Sequence, residues 1–238
     1  MSGEIDWAAD GARERLLSEV AGFLTTFGHV VKQAATEEAS TDDQRAIATC
    51  IQMIGTLVRG QSALLEHRNY YATAALGRQV IETTHLLVYL DSHRDRASFW
   101  LTASDQEIKG ANDFRPGSLR RATSASDYPY STHCAAGGHP RRTGAFLLPG
   151  SPLRARGDQL QVPGLDSPVS LHDLITADAL QHAHEATHAS IVAADELDPR
   201  GLPLTEEQFV AMATQLTSRF GAWRASDPLA PLTGANAS

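Results

Sequence analysis

The chain has 238 residues, of which 42% are hydrophobic and 6% aromatic, and it carries a formal net charge of −8. This size and composition are typical of one globular domain, and no apolar run approaches the roughly 18 residues that would span a bilayer. The negative charge argues against indiscriminate binding of nucleic acid. With two cysteines and an acidic start, we expect a cytoplasmic protein with reduced thiols that binds no membrane.

Apolar residues at helical spacing predict four helices in the first half of the chain. The first covers roughly residues 10–36, and the second begins after Ser40 or Thr41, either of which can cap it. A third is expected at about 71–91 and a fourth near 94–110. Alternation of the strand type is almost absent, so the sequence predicts an all-α fold.

Regular structure is expected to stop between residues 115 and 170, because seven of the eleven prolines fall there. Only a short helix near 128–136 and a little extended chain around LQV are predicted in this segment. A segment of this length in a domain is usually functional or disordered.

Helices resume at about 170–197 and 205–223. We therefore predict one helical-bundle domain, residues 1–224, in which six or seven helices pack around the third. The small and polar residues at 225–238 predict a flexible tail.

The charge is distributed unevenly along the chain. Residues 115–156 contain seven arginines and one acid, so this segment carries +6 and the remainder −14. An arginine-rich segment in an acidic body predicts a local anion site. Its candidate ligands are Arg120, Arg121, Arg141 and Arg142, although solvated loop arginines would give the same distribution.

The third helix combines an apolar surface with a polar seam. Apolar residues cover most of its circumference, as expected for a buried helix, yet Arg78, Glu82 and His85 project to one side. Buried charge is costly unless it is paired, and Arg78 can pair with Glu82 one turn away. The seam is either a structural ion pair that fixes helix packing or a catalytic or ligand-binding site.

A second polar cluster lies in YSTHCAAGGHPRRTG, residues 130–144. His133 and His139 flank a Gly-Gly turn that lets backbone amides approach an anion. With Arg141 and Arg142 they suit phosphate recognition or proton transfer at a phosphoryl group, whereas an exposed loop without a role is the alternative.

The two clusters are expected to meet, because a buried polar seam is hard to seal with apolar neighbours. If they form one site, His133 or His139 should lie within about 8 Å of Arg78 or His85, close enough to share a phosphate. In the alternative, the loop lies in solvent and Glu82 is the sole partner of Arg78.

The sequence HEATH, which starts at His184, fits the H-E-x-x-H pattern of helix-borne zinc hydrolase sites. His184 and His188 share a helical face, and Glu185 would activate water. The nearest downstream acids on a new helix, Glu206 and Glu207, belong to a capping box, and Glu206 would lie about two turns beyond His188. A structural helix face is the favoured interpretation, with a zinc hydrolase through these three residues as an alternative.

The ordered set AALGRQVIETTHLLVYL, FRPGSLRR and YSTHCAAGGHP resembles a group of uncharacterised bacterial all-helical domains. In those domains a helix with R-x-x-x-E precedes an irregular segment with a Y…H…HP element. Their layout is similar to that of HEPN (higher eukaryotes and prokaryotes nucleotide-binding) proteins, many of which are ribonucleases of toxin and antiphage systems. The HEPN signature is an arginine followed after a short spacer by a histidine, and Arg78 and His85 have six residues between them.

This resemblance implies an RNA- or nucleotide-binding protein, or a metal-independent ribonuclease that uses no cofactor. Arg78 would stabilise the charge on phosphorus while a histidine moves protons, and the arginines would hold phosphates. A symmetric homodimer is also expected. The competing interpretation is a non-catalytic binding or scaffold protein. The residues predicted for catalysis are Arg78, Glu82, His85, His133 and His139.

Overall fold

The helices of the chain follow the apolar periodicity of its sequence. The computed structural model describes residues 7, 11–36, 40–124, 131–138, 142–148, 151, 153–154, 157–194 and 206–230. Its α-helices are α1 (Ala12–Ala35), α2 (Asp42–Glu66), α3 (Tyr70–Ser92), α4 (Arg94–Thr102), α5 (Asp105–Gly110), α6 (Pro116–Ala122), α7 (Arg142–Phe146), α8 (Leu171–Ala194) and α9 (Glu206–Ser226). The all-α prediction is confirmed.

Three further elements are short. A 3-10 turn covers Asn112–Phe114 and a π-helical turn covers Cys134–Gly138. Strands β1 (Gln159–Leu160) and β2 (Val169–Ser170) pair antiparallel. The extended chain predicted around LQV is therefore present as β1.

The predicted fourth helix is wrong as a single element, because α4 and α5 are separated by a new helix start. The Ser104 side chain accepts a hydrogen bond from the backbone N–H of Glu107, and the Glu107 carboxylate accepts one from the backbone N–H of Ser104 at 2.8 Å. This reciprocal capping box stabilises an N-terminus at Asp105 and ends the preceding helix.

The segment 115–170 is more regular than predicted. It contains α6, which has proline in its first turn, where the missing N–H costs nothing. Of the helix predicted at 128–136, residues 131–133 are helical and lead into the π-helical turn, while 125–130 lie outside the described residues.

The first residues of the predicted flexible tail, 225–230, end α9 or directly follow it. Asp227 and Leu229 are 2% and 1% exposed and belong to the buried interior. Residues 231–238 lie outside the described part of the chain.

The four long helices α1, α2, α3 and α8 form a bundle. Each packs on the next, and α8 also packs against α1, which closes the ring. Their inward faces supply fully buried side chains such as Leu16, Leu24, Ile47, Ile54, Leu87 and Leu180. No described helix has the length and hydropathy needed to cross a bilayer.

Helices α1, α3 and α8 begin at the same end of the bundle. Arg13 near the start of α1 forms an ion pair with Asp173 near the start of α8 at 2.6 Å. Tyr70 at the start of α3 packs on His172, with ring centroids 5.8 Å apart. Because α3 and α8 run in the same direction, the chain between them must return along the bundle. The segment from α4 to β2 makes this return and brings its side chains back to α3.

Candidate metal centre

Three side chains from two parts of the chain converge beside α3. They are His133, Asp178 and His182, and one potential ligand atom of each lies within 4.8 Å of the other two. His133 Nε2 is 3.0 Å from Asp178 Oδ2, and His182 Nε2 is 3.6 Å from Asp178 Oδ1. A tetrahedral zinc ion with bonds of about 2.0–2.1 Å would space its ligand atoms about 3.3 Å apart. The cluster thus has the dimensions of a metal site.

Helix α8 supplies two of the three groups. Asp178 and His182 are one turn apart, so their side chains lie on the same face of the helix. This face packs against α3. The helix therefore presents a carboxylate and an imidazole together at its interface with α3.

His133 reaches this interface because α3 has a glycine there. A Cβ at Gly77 would lie 2.6 Å from Cε1 of His133, well inside van der Waals contact, so the imidazole occupies the place of a side chain. His133 Nδ1 lies 3.0 Å from the backbone oxygen of Ala74, to which it donates. When the ring is neutral, this hydrogen bond leaves the lone pair on Nε2, the nitrogen that faces Asp178.

A second close approach holds the same segment against α3. At Gly144, in α7, a Cβ would lie 2.6 Å from the backbone oxygen of Ala136 and 2.6 Å from the ring of Tyr71. Helix α7 therefore packs directly on the π-helical turn and on α3, which keeps the turn after His133 in place.

The two ring nitrogens that face Asp178 do not make aligned hydrogen bonds. Both Nε2 atoms are buried and have no hydrogen-bond partner within the described part of the chain. The rings of His133 and His182 meet edge to face, with centroids 4.9 Å apart. Ring nitrogens that converge on a common point near a carboxylate are the arrangement expected of metal ligands once they are deprotonated.

The second nitrogen of His182 faces another carboxylate. Its Nδ1 lies 3.5 Å from Oε2 of Glu185, and Oε1 of Glu185 accepts a hydrogen bond of 2.7 Å from Gln181. Metal-binding histidines commonly donate their other ring N–H to a carboxylate or a backbone carbonyl. His182 has the carboxylate of Glu185 as such a partner, and His133 has the backbone carbonyl of Ala74.

Charges within the cluster stabilise one another strongly. Burial alone would lower the pKa of His182, but Asp178 and Glu185 raise it to about 10. Burial would raise the pKa of Asp178, but His133 and His182 hold it well below its usual range. The metal-free cluster is therefore an ion pair with His182 protonated, and a cation that replaces the proton would convert it into a metal centre.

The cluster is closed on the histidine side and open at the carboxylate. The side chains of His133 and His182 are 4% and 1% exposed, whereas that of Asp178 is 28% exposed. Solvent therefore reaches the site past Asp178.

His85 of the predicted seam lies between α3 and the end of α6. Burial lowers the pKa of His85, and the other charges that act on it are those of Glu185, Arg120, His182 and Glu82. Its Nδ1 lies 3.4 Å from the hydroxyl of Thr123, which follows α6. Helix α6 thus brings one predicted anion ligand, Arg120, to the side of α3 that carries the seam.

Arg78 and Glu82 form the predicted ion pair, with Nε 3.0 Å from Oε1. Both side chains are only about three-quarters buried, at 26% and 28% exposure, so this pair is accessible to solvent.

The other predicted anion ligands lie apart from the cluster. Arg121 is exposed and hydrogen bonds to Ser118, and Arg142 is exposed at the start of α7. His139 and Arg141 lie outside the described residues.

The HEATH histidines do not supply a metal site within the described ranges. His184 packs edge to face on Phe220, with centroids 4.5 Å apart, and His188 is exposed. Neither belongs to a group of three potential ligands in the part of the chain described. The carboxylate of Glu185, the glutamate of the pattern, lies beside His182.

Sequence reasoning missed Asp178 and His182. The signal was present as D-x-x-x-H-x-x-E in residues 178–185, which places two carboxylates and a histidine on one helical face. The H-E-x-x-H pattern in the same helix instead predicted His184, Glu185 and His188 as the candidate residues.

Comparisons with family models, with curated proteins and with solved structures find no match to this chain. The resemblance to HEPN proteins stays a prediction.

Proposed function

We propose that this protein binds a single zinc ion at His133, Asp178 and His182. The observation that supports this most strongly is the convergence of two buried imidazole nitrogens on one carboxylate, without an aligned hydrogen bond to it in the described part of the chain. Imidazole ligands suit zinc and the later transition metals, whereas magnesium and calcium prefer sites made of oxygen alone. Ala74 and Glu185, on the far sides of the two rings, are suited to orient both ligands.

Removing a ligand is expected to abolish tight zinc binding. Wild-type protein should bind one zinc ion per chain by titration calorimetry and elemental analysis, and His133→Ala and His182→Ala should each weaken binding by about 100-fold or more. His188→Ala is the matched control, because it removes an exposed histidine from the same helix. Unchanged affinity in His182→Ala, or an equal loss in His188→Ala, would show that zinc binds elsewhere.

Glu185 should contribute without touching the ion. Glu185→Gln removes the negative charge that faces Nδ1 of His182, so we expect zinc affinity to fall by about 10- to 100-fold. Glu207→Gln, an exposed glutamate on α9, serves as the control and should leave the affinity unchanged. Equal affinities in the two variants would refute the orienting role of Glu185.

As a second candidate we propose the HEPN-like function, RNA or nucleotide binding with metal-independent cleavage. It is supported by the contact of 3.4 Å between the Thr123 hydroxyl and Nδ1 of His85, which brings the arginine-rich segment to the seam. RNA cleavage that persists in EDTA and is lost in folded Arg78→Ala and His85→Ala variants would support it. If Arg78 only fixes helix packing, as in a scaffold protein, its removal should instead chiefly lower the melting temperature.

A further inference from the structure

We infer that zinc acts at this centre as a clasp, which fixes one segment of the chain to helices α3 and α8. This docking segment consists of residues 131–138 and 142–148, which include the π-helical turn and α7. The inference rests on the proposed zinc site and adds to it what the ion controls, namely whether the docking segment lies on the bundle.

The three ligands come from parts of the chain that are far apart in sequence. Asp178 and His182 belong to α8, a long helix of the bundle, whereas His133 directly precedes the π-helical turn of the docking segment. His133 Nε2 lies 3.0 Å from Asp178 Oδ2, and the rings of His133 and His182 have centroids 4.9 Å apart. An ion bound by all three residues would therefore cross-link the docking segment to α8.

The docking segment buries few apolar side chains. Among its described side chains, only His133 and Leu147 are buried, at 3% and 6% exposure. Leu147 belongs to the hydrophobic core, whereas its neighbour Leu148 is 48% exposed. Segments with few buried apolar contacts open at a lower free-energy cost than the rest of a fold. The polar contacts of His133 are therefore a large part of what holds the segment on the bundle.

One of these contacts is completed only by a cation. Nδ1 of His133 donates to the backbone oxygen of Ala74 at 3.0 Å, but Nε2 is buried and makes no aligned hydrogen bond to Asp178 in the described part of the chain. Zinc would add a bond at Nε2, and it would do so only while the segment is docked. Zinc binding and docking are then linked, so each strengthens the other by the same factor.

The docked segment covers one side of α3. The imidazole of His133 fills the space above Gly77, and Gly144 brings α7 against the ring of Tyr71. When zinc is removed, we expect the segment to open more often and to expose this side of α3. Zinc would thus control access to the surface of α3 around Tyr71 and Gly77.

Hydrogen–deuterium exchange of the full chain, measured by mass spectrometry with and without saturating zinc, tests the clasp. We expect zinc to slow exchange of the docking-segment amides by about 10- to 100-fold, because zinc at about 100 times its Kd stabilises the bound form by up to that upper factor. Helix α5 is the internal reference, since none of its residues is buried and it packs on the Asn112–Phe114 turn. Its exchange rate should not change.

Two neighbouring leucines test the reciprocal effect of docking on zinc. Leu147→Ala removes the buried apolar side chain of the segment and leaves all three ligands in place, so zinc affinity by calorimetry should fall by about tenfold or more. Leu148→Ala removes the same atoms from an exposed position and should leave the affinity unchanged. Circular dichroism checks that both variants fold.

Gly144→Ala provides the same test if Leu147→Ala does not fold. Its Cβ would lie 2.6 Å from the backbone oxygen of Ala136, so α7 must move away from the π-helical turn, and zinc affinity should again fall by about tenfold. Gly221→Ala is its control, because nothing lies within 4 Å of the added atom.

Equal exchange of the docking segment with and without zinc, in protein that calorimetry shows to bind zinc, would overturn the clasp and leave the zinc site intact. Wild-type zinc affinity in folded Leu147→Ala or Gly144→Ala would overturn it as well. A wild-type protein that binds no zinc would instead refute the proposed function, on which the clasp depends.

Discussion

Replacing Gly77 with alanine is expected to lower zinc affinity by about 100-fold or more while the protein stays folded. The added Cβ would lie 2.6 Å from Cε1 and 2.8 Å from Nδ1 of His133, so the ring must move away. Such a shift breaks the bond from Nδ1 to Ala74 and withdraws Nε2 from Asp178. Alanine is favoured over glycine within a helix by about 1 kcal/mol, which offsets part of the packing cost in α3.

Gly22→Ala is the control for this substitution. It adds the same methyl group to α1, where nothing lies within 4 Å of the new atom. Calorimetric zinc titration, together with circular dichroism to check the fold, should show wild-type affinity in the control and a large loss in Gly77→Ala. Wild-type affinity in both variants would mean that His133 does not depend on the space above Gly77.

The second large effect is expected at the C-terminal end of α9. Asp227→Ala should lower the free energy of unfolding by about 3–5 kcal/mol, because it leaves the buried guanidinium of Arg13 without its main partner. Asp227 accepts hydrogen bonds from Arg13 at 2.7 and 2.8 Å, from Trp223 at 2.6 Å and from the backbone of Leu229 at 2.9 Å. Its side chain is fully buried and that of Arg13 is 4% exposed.

An exposed ion pair between the same two helices provides the control. Glu19 of α1 pairs with Arg219 of α9 while 46% exposed, so Glu19→Ala should change stability by at most about 1 kcal/mol. Urea unfolding followed by circular dichroism measures both variants. If Asp227→Ala cost no more than the control, the buried pair would not be what fixes α9 to the bundle.

The long helices could be predicted because burial of one face imposes a period of 3.6 residues on the sequence. Periodicity did not predict the interruption of the fourth helix at Ser104, because a local capping box starts a new helix there despite the continuous apolar pattern. It also failed at Asp227, because small and polar residues near a terminus suggest fraying unless their buried partners are known.

The candidate metal centre was only partly accessible to sequence reasoning. His133 was predicted as a functional residue from its polar surroundings. Its hydrogen bond to Ala74 joins positions 59 residues apart, and no local pattern specifies such a pairing. His182 was not predicted, because apolar periodicity identifies only apolar residues as inward-facing. The carboxylates of Asp178 and Glu185 compensate the cost of burying the His182 imidazole.

Crystals of the zinc-loaded protein, measured on both sides of the zinc absorption edge, provide the most direct test of the zinc centre. We predict one anomalous-difference peak about 2.0–2.2 Å from Nε2 of His133, Nε2 of His182 and a carboxylate oxygen of Asp178. A zinc peak at His184 or His188, or no peak between these three residues in zinc-loaded crystals, would contradict the account.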